Sequence, residues 1–229
     1  MSLKPPKKGD IGTAWNRTKE KRKPKLDFRT KGKRFILLCE GRNTEPLYFK
    51  SFPLSAATVK VIGKGGRSKI SLVEYGFKEL EKLEFYDEDE IWFVFDMDIH
   101  YPEVSDQKAD FNSAIKLAEV KGARIAFSND CFEIWFLLHY QDLSGQLTRK
   151  EYYEKLNSWM GIDYEKVGKG RDFASKIYET LLQDTKASQP EAISRATRLW
   201  EENKHLPPAD RNPCNSVYQL VVELNGYLN

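Results

Sequence analysis

The sequence IWFVFDMDIH, residues Ile91–His100, decides the fold of this chain. Its first five residues are apolar and mostly β-branched or aromatic, which is typical of a strand buried on both faces of a sheet. The run then changes at once to Asp96-Met97-Asp98. Because alternate residues of an extended chain point to the same side, the two carboxylates leave the end of the strand together.

The Asp96–Asp98 pair is a candidate site for a bound cation. At a separation of about 6.6 Å and an effective dielectric constant of about 20, two carboxylates repel each other by roughly 2.5 kcal/mol. A divalent cation with oxygen ligands removes that cost. A polar strand end that turns into water would screen the same pair without a metal, so the two residues alone leave both interpretations open.

Strands and helices alternate on both sides of this segment. Three further buried strands are predicted, at Arg34–Cys39, Thr58–Ile62 and Ala123–Phe127. A helix follows each strand, and this order predicts an α/β fold, a Rossmann-like three-layer core with a mainly parallel sheet. Ligands of such sheets bind beyond the carboxyl ends of the strands, where Glu40, Asp96 and Asp98 all lie.

Local signals predict where the helices begin. Ser68 is predicted to cap a helix over Lys69–Glu84, and Thr148 with Glu151 forms a capping box for a later helix. Asn212-Pro213 has the sequence of a cap and a first-turn proline ahead of the last helix. Helices are also predicted at Phe173–Gln183, Pro190–Asn203 and Ser216–Leu228.

The chain divides into three predicted regions, within a length of 229 residues that suits one large domain with an extension. Residues 1–32 are predicted to form a basic, partly flexible arm. Residues 33–142 form the α/β core. Residues 143–229 form a helical C-terminal extension packed on that core.

Charge is distributed unevenly along the chain. Residues 1–34 contain 13 Lys and Arg against 3 Asp and Glu, a balance of +10. The whole chain has 37 basic and 34 acidic residues, so the remainder has 24 against 31, a balance of −7. A basic arm on a mildly acidic body is typical of a nucleic-acid-binding protein. A solvated tail that only aids solubility has the same composition.

Composition excludes other classes of protein. No apolar run is long enough to span a membrane, and the N-terminus lacks the apolar stretch of a signal peptide. Cys39, Cys131 and Cys214 are odd in number and far apart, as expected for reduced residues. We therefore expect a cytoplasmic protein with no membrane partner and no zinc site.

Basic residues near the strand ends and in the charged segment 164–172 are candidate phosphate contacts. The glycine-rich sequence GKGGRSK after the second strand matches neither the Walker pattern nor GxGxxG, so a tight turn explains it better. The candidates are Lys64, Arg67, Lys69, His100, Lys166, Lys169 and Arg171. Lysine-rich loops are also typical of an ordinary solvated surface.

Glu133 has two interpretations. It follows Asp130 by three residues, and this Asp-x-x-Glu spacing is that of a capping box. Its predicted position near the same strand ends also makes it a candidate ligand of a second metal ion. The local pattern favours capping.

Three segments together resemble the RloB family. They are CEGRNTEPLYF (residues 39–49), FVFDMDIH (residues 93–100) and SNDCFEIWFLLHY (residues 128–140), and NPCNSVYQLV (residues 212–221) is a weaker fourth. The chain departs from the usual family pattern at Asp130 and Asn215, where a proline and a threonine are expected. These departures affect predicted cap positions and leave the carboxylates intact.

The resemblance implies a Toprim-like domain, the domain that topoisomerases, primases and overcoming-lysogenization-defect (OLD) nucleases share. Such domains hold magnesium with a glutamate after the first strand and a DxD pair after a later one. That pattern falls here on Glu40, Asp96 and Asp98. The resemblance thus implies Mg²⁺ or Mn²⁺ at these residues and Glu133, with Glu40 as a ligand or a general acid/base.

The resemblance also implies a function. RloB proteins are small bacterial proteins encoded near restriction and phage-defence genes, which implies a nuclease acting on DNA or RNA in abortive infection. The resemblance further implies a partner ATPase of the ABC or OLD type, called RloA, and is compatible with a homo-oligomer. The alternative is a non-catalytic nucleic-acid-binding subunit of an ATPase-containing defence complex. A nucleotide-handling enzyme ranks last, because no phosphate loop is convincing.

Overall fold

A computed structural model describes residues 33–54, 57–63, 68–83, 88–99 and 103–228. The predicted basic arm, residues 1–32, lies outside the described residues. So do three of the candidate phosphate contacts, Lys64, Arg67 and His100.

Five strands form one sheet: β1 (Phe35–Cys39), β2 (Ala57–Val61), β3 (Glu90–Asp96), β4 (Arg124–Asn129) and β5 (Cys214–Asn215). Their order across the sheet is β2-β1-β3-β4-β5. The first four strands are parallel, and β5 runs antiparallel to β4. The predicted α/β fold with a mainly parallel sheet is therefore confirmed, and β3 is its central strand.

Helices cover both faces of the sheet. They are α1 (Thr44–Lys50), α2 (Lys69–Glu81), α3 (Val104–Val120), α4 (Glu133–Leu138), α5 (Arg149–Met160), α6 (Tyr164–Val167), α7 (Arg171–Ala174), α8 (Ile177–Gln183), α9 (Gln189–Asn203) and α10 (Val217–Asn225), with a 3₁₀ turn at Pro208–Asp210. Helices α2 and α3 pack on one face, and α1, α4, α5 and α8–α10 pack on the other. The result is a Rossmann-like three-layer core.

The alternation of side chains along β1 explains the two layers of core. Phe35, Leu37 and Cys39 enter the cluster beneath α4, whereas Ile36 and Leu38 enter the cluster beneath α2 and α3. Every residue of β1 is buried, because a strand of a parallel sheet with helices on both faces has no side in water. An apolar run without alternating polar residues therefore gives a central strand here.

Two of the predicted helix starts are confirmed. The hydroxyl of Ser68 accepts a hydrogen bond from the Ser71 amide at 3.2 Å, and Thr148 with Glu151 forms the predicted capping box. The last helix begins differently, because Asn215 Oδ1 accepts the Val217 amide at 2.8 Å. Asn212-Pro213 instead lies ahead of β5, a strand that the sequence did not predict.

The C-terminal residues complete the core rather than only covering it. Strand β5 joins the sheet, and Leu220, Val221 and Leu224 of α10 are fully buried in the cluster that also contains Trp135. The predicted helix Phe173–Gln183 divides into α7 and α8. In the part of the chain that the structure describes, no helix is long and apolar enough to cross a membrane.

Candidate functional site

Four carboxylate side chains line one cavity at the carboxyl edge of the sheet. Asp96 is the last residue of β3, Asp98 follows it, Glu45 lies in α1 after β1, and Glu133 begins α4 after β4. The cavity has a volume of about 170 Å³. Its other lining residues are Thr44, Cys131, Phe132, Arg149 and Lys169. Three of the four predicted metal ligands, Asp96, Asp98 and Glu133, are thus brought together.

Asp96 carries its charge in an unfavourable environment. Its Oδ2 accepts a hydrogen bond from the Phe132 amide at 3.0 Å. Its Oδ1 is buried and has no hydrogen-bond partner among the described residues. Burial, followed by the negative charges of Glu45 and Asp98, raises the pKa of Asp96 well above its usual value.

Asp98 is held in an unusual backbone conformation. Its φ of 53° is in the left-handed region, which non-glycine residues seldom adopt. The Asp98 amide donates to the Asp130 carbonyl at 3.1 Å, and the Ile99 amide donates to Asp130 Oδ1 at 2.9 Å. The Asp98 carboxylate is paired with Arg149, which also lies 3.5 Å from Asp130 Oδ2. Asp130 therefore fixes the turn after β3, and Arg149 neutralises the negative charge of Asp98 in that turn.

The capping interpretation of Glu133 is wrong. Helix α4 begins after Phe132 without a side-chain cap, and the Asp130 carboxylate is used by Ile99 and Arg149. Glu133 is only 4% exposed, and its Oε1 accepts a hydrogen bond from the Tyr164 hydroxyl at 3.4 Å. Glu133 is therefore a buried carboxylate of the cavity.

Glu45 belongs to the cavity, although it was not among the predicted site residues. It is 6% exposed. Burial, and next the charges of Glu133, Glu40 and Asp98, raise the pKa of Glu45 to about 7. A Cβ atom at Gly41 would lie 2.0 Å from Glu45 Oε2, so the absence of a side chain at Gly41 makes room for the carboxylate.

Glu40 and Lys69 pair with each other outside the lining of the cavity. Lys69 Nζ lies 2.8 Å from Glu40 Oε1 and 2.6 Å from Oε2, and both residues are buried. The Asp110 carboxylate accepts the amides of Lys69 and Ile70 and so fixes the start of α2. The structure thus places the predicted metal ligand Glu40 and the predicted phosphate contact Lys69 in one internal ion pair.

The three predicted phosphate contacts near α6 and α7 are placed differently. Lys169 lines the cavity, is exposed, and holds its Nζ 5.1 Å from the centre of the Tyr153 ring. Lys166 pairs with Asp163 at 2.8 Å, and Arg171 is an exposed first residue of α7. Neither Lys166 nor Arg171 lines the cavity. Lys169 is the candidate that the fold brings to the carboxylates.

Arg149 was not predicted, and no local pattern identifies it. It lies 51 residues from Asp98 in the sequence and opens a helix with a polar, lysine-containing first turn. Only the packing of α5 against α4 brings it to the cavity. The same holds for Tyr164, which approaches Glu133 from 31 residues away.

The cavity suits a divalent cation by the type of its ligands but is not assembled as a metal centre. Carboxylate oxygens are the ligands that Mg²⁺ and Mn²⁺ prefer, and the buried Asp96 Oδ1 lacks a partner within the described ranges. However, no three of the described His, Cys, Asp and Glu side chains are grouped as metal ligands. Asp98 forms an ion pair with Arg149, and Glu40 forms one with Lys69. Binding a cation would therefore require Asp98 to exchange its partner.

Comparison with known protein families gives one clear result. The model of the family described as RloB-like protein matches residues 35–224. Comparisons with curated proteins and with solved structures gave no match. The matched residues include β1 to β5, the lining of the cavity and α10 to within one residue of its end. Because the match extends over most of the chain, this protein belongs to the RloB-like family.

Proposed function

We propose that this protein is a metal-dependent phosphodiesterase, a nuclease of the Toprim type that acts on nucleic acid in bacterial anti-phage defence. The observation that carries the proposal is the cavity lined by Glu45, Asp96, Asp98 and Glu133 at the carboxyl edge of a parallel sheet. This edge is where open α/β sheets bind their ligands. Abortive infection and an RloA-like ATPase partner belong to the proposal through the family resemblance.

The proposed cation ligands are Asp96, Asp98 and Glu133. When bound, Mg²⁺ or Mn²⁺ would polarise the phosphate and stabilise the leaving oxygen. Asp96 Oδ1 offers a buried oxygen without a hydrogen bond among the described residues, and Glu133 offers one oxygen besides that held by Tyr164. The Phe132 amide binds Asp96 Oδ2 and so fixes the direction of Asp96 Oδ1.

Glu45 is the proposed proton carrier of the site. In the metal-free protein the pKa of Glu45 is raised to about 7, first of all by burial, so its carboxyl group can hold a proton near neutral pH. Glu40 does not line the cavity, and its proposed effect is indirect: its charge contributes to the raised pKa of Glu45. In this proposal the general acid/base is therefore Glu45 and not Glu40, the residue to which the resemblance gives that role.

A nuclease also needs cations that hold the phosphate backbone. Lys169 lines the cavity, and the predicted arm, residues 1–32, has 11 Lys and Arg against 3 Asp and Glu. The mildly acidic remainder would repel nucleic acid on its own. The arm is therefore the proposed source of affinity, and the cavity is the proposed site of cleavage.

Cleavage assays on the wild type and Asp96→Asn test the proposal. DNA and RNA substrates are incubated with Mg²⁺ or Mn²⁺, with and without the ATPase partner. The wild type is expected to cleave at least one substrate. Asp96→Asn should lose at least about 100-fold in rate, because mutagenesis of a single group that stabilises the transition state commonly costs that much.

The matched control is Asp172→Asn, an exposed carboxylate outside the cavity. It makes the same chemical change and should cleave at the wild-type rate. Equal activity of the wild type and Asp96→Asn would contradict the proposal. Activity that persists in EDTA would contradict its metal dependence.

The second candidate is a non-catalytic nucleic-acid-binding subunit. One observation favours it: Asp98 and Glu40 are already neutralised within the protein, by Arg149 and Lys69. In that case the wild type would bind nucleic acid through residues 1–34 and cleave none of the substrates, with or without the partner.

A further inference from the structure

We propose that Arg149 is a built-in counter-ion of the site, which neutralises the Asp98 carboxylate until a divalent cation displaces it. The inference rests on the proposed function, because it takes Asp98 to be a cation ligand. The observation behind it is that one guanidinium lies against the carboxylates of both Asp98 and Asp130 at the wall of the cavity.

The position of Arg149 is fixed by the start of α5. Arg149 is the first residue of that helix, directly after the capping box that Thr148 forms with Glu151. Its Nη2 pairs with Asp98 Oδ1 and lies 3.5 Å from Asp130 Oδ2. A capped helix start leaves the backbone little freedom, so the guanidinium reaches Asp98 from a defined place.

The guanidinium has unused donor capacity. Arginine has five N–H groups, and the Nε of Arg149 is buried without a hydrogen-bond partner in the described part of the chain. The other cation at the cavity, Lys169, is exposed and therefore well solvated. Of the two cations that line the cavity, Arg149 is thus the less exposed and the one that forms an ion pair with Asp98.

Arg149 is not needed to hold Asp98 in place. The Asp98 amide is bound to the Asp130 carbonyl at 3.1 Å, and the next amide, of Ile99, is bound to Asp130 Oδ1 at 2.9 Å. Removing the guanidinium therefore removes the Arg149 ion pair of Asp98 while the backbone bonds that fix the turn remain. This separates a counter-ion, which competes with the metal, from a residue that merely positions the ligand.

Competition follows from charge. A divalent cation on Asp98 would lie next to the positive guanidinium, and like charges at that distance repel. The guanidinium must leave the carboxylate, and its planar fork is then available beside the cavity. That fork matches the geometry of a phosphate, which it binds through two parallel hydrogen bonds. Binding of the cation to Asp98 would thus release the Arg149 guanidinium to bind a phosphate.

Calorimetric titration with Mn²⁺ tests the inference on the full chain. Arg149→Gln is expected to bind Mn²⁺ about tenfold more tightly than the wild type, because the competitor is gone while Asp98 stays in place. The matched control is Lys150→Gln, which removes the same charge from the adjacent residue, where the side chain is 82% exposed. It should bind Mn²⁺ like the wild type.

Weaker or unchanged Mn²⁺ binding by Arg149→Gln would overturn the inference, since Arg149 would then only support the shape of the site. Equal tightening in Lys150→Gln would also overturn it, because a general charge effect would explain the result. A wild type that binds no Mn²⁺ would overturn the proposed function as well, so the two failures are distinguishable.

Arg149→Lys carries the test if Arg149→Gln does not fold, as judged by circular dichroism. Lysine keeps the charge but is shorter and lacks the fork, so its pairing with Asp98 should be weaker. Mn²⁺ affinity roughly threefold above that of the wild type is expected. Wild-type affinity in this variant would overturn the inference.

Discussion

Asp96 is a carboxylate that the metal-free protein holds at a cost in free energy. One oxygen is bound by the Phe132 amide, and the other is buried without a partner among the described residues. Glu45 and Asp98 add repulsion to the cost of burial. Removing water from a carboxylate without a full set of hydrogen bonds is expensive, so this residue opposes folding until its charge is compensated.

Asp96→Asn should stabilise the metal-free protein by about 1–3 kcal/mol, because asparagine removes the charge and keeps an oxygen for the Phe132 amide. For a chain of this size, that raises the melting temperature by several degrees. Thermal unfolding in EDTA measures it. Asp172→Asn should stay within about 0.5 kcal/mol of the wild type. A destabilised Asp96→Asn would show that the charge supports the fold.

Glu45 predicts a dependence of stability on pH. Burial, then the charges of Glu133, Glu40 and Asp98, raise its pKa from 4.5 to about 7. The folded protein then binds more protons than the unfolded chain between these values, so the free energy of unfolding falls as the pH rises from about 4.5 to about 7. The loss from this group alone is on the order of 3 kcal/mol.

Glu45→Gln removes this titration. Compared with the wild type, the variant should be more stable above pH 7 and lose less stability between pH 5 and pH 7. Urea unfolding in EDTA at pH 5, 6, 7 and 8 measures the difference. If the two proteins give parallel curves, the pKa of Glu45 is not raised in the folded protein.

At the residue scale, the sequence predicted those site residues that belong to a recognisable local pattern. Asp96 and Asp98 follow from an apolar run that ends in DxD, and the structure places both on one cavity. Glu45 was not among the predicted site residues, since an acid in the first turn of a helix is commonly explained by its effect on the helix alone. Arg149 had no local signal, because its contact with Asp98 spans 51 residues of sequence.

At the scale of single elements, α2 and β3 pack unusually closely at Gly76. A Cβ atom there would lie 2.3 Å from a ring carbon of Phe93, which is fully buried. A glycine within a helix normally costs about 0.5–1 kcal/mol relative to alanine. The close approach of helix and strand explains why this helix nevertheless has one.

Gly76→Ala should destabilise the protein by a net 1–2 kcal/mol, roughly. Alanine gains up to about 1 kcal/mol of helix propensity, but overpacking against an immobile ring costs about 1–3 kcal/mol. Urea unfolding of this variant is compared with that of Glu74→Ala, an exposed position of the same helix. A stabilised Gly76→Ala would show that α2 shifts away from the sheet without penalty.

Elements were predictable where hydrophobic periodicity and caps agreed. Ser68 and the Thr148–Glu151 box gave correct helix starts, and the four parallel strands lie where apolar runs predicted them. Strand β5 was missed because its two residues are too few for a periodic pattern. The predicted cap of α4 at Asp130 was wrong, because the Asp130 carboxylate binds the Ile99 amide and Arg149, which are distant in sequence.

At the scale of the whole molecule, the C-terminal region and the sheet share one core. Strand β5 is hydrogen-bonded to β4, and the Tyr48 hydroxyl accepts a bond from Trp135 Nε1 at 2.7 Å beneath Tyr178 of α8. Leu220, Val221 and Leu224 have no exposed surface. Removing these elements would expose the apolar face of the sheet to water.

A fragment ending at residue 142 should therefore fail to fold cooperatively. It would lose α5 and α8–α10, which cover one face of the sheet, and apolar burial is the main force that holds such layers together. Circular dichroism and thermal unfolding of residues 1–142, with the full chain as control, measure this. A sharp unfolding transition of the fragment would contradict the expectation.

The central claim is that the carboxylate cavity binds a divalent cation, and thermal unfolding with and without Mn²⁺ tests it most directly. At one hundred times the dissociation constant, Mn²⁺ should stabilise the wild type by about 2.7 kcal/mol. Asp96→Asn/Asp98→Asn should melt at the same temperature with and without Mn²⁺. An equal response of both proteins, or none from the wild type, would contradict the claim.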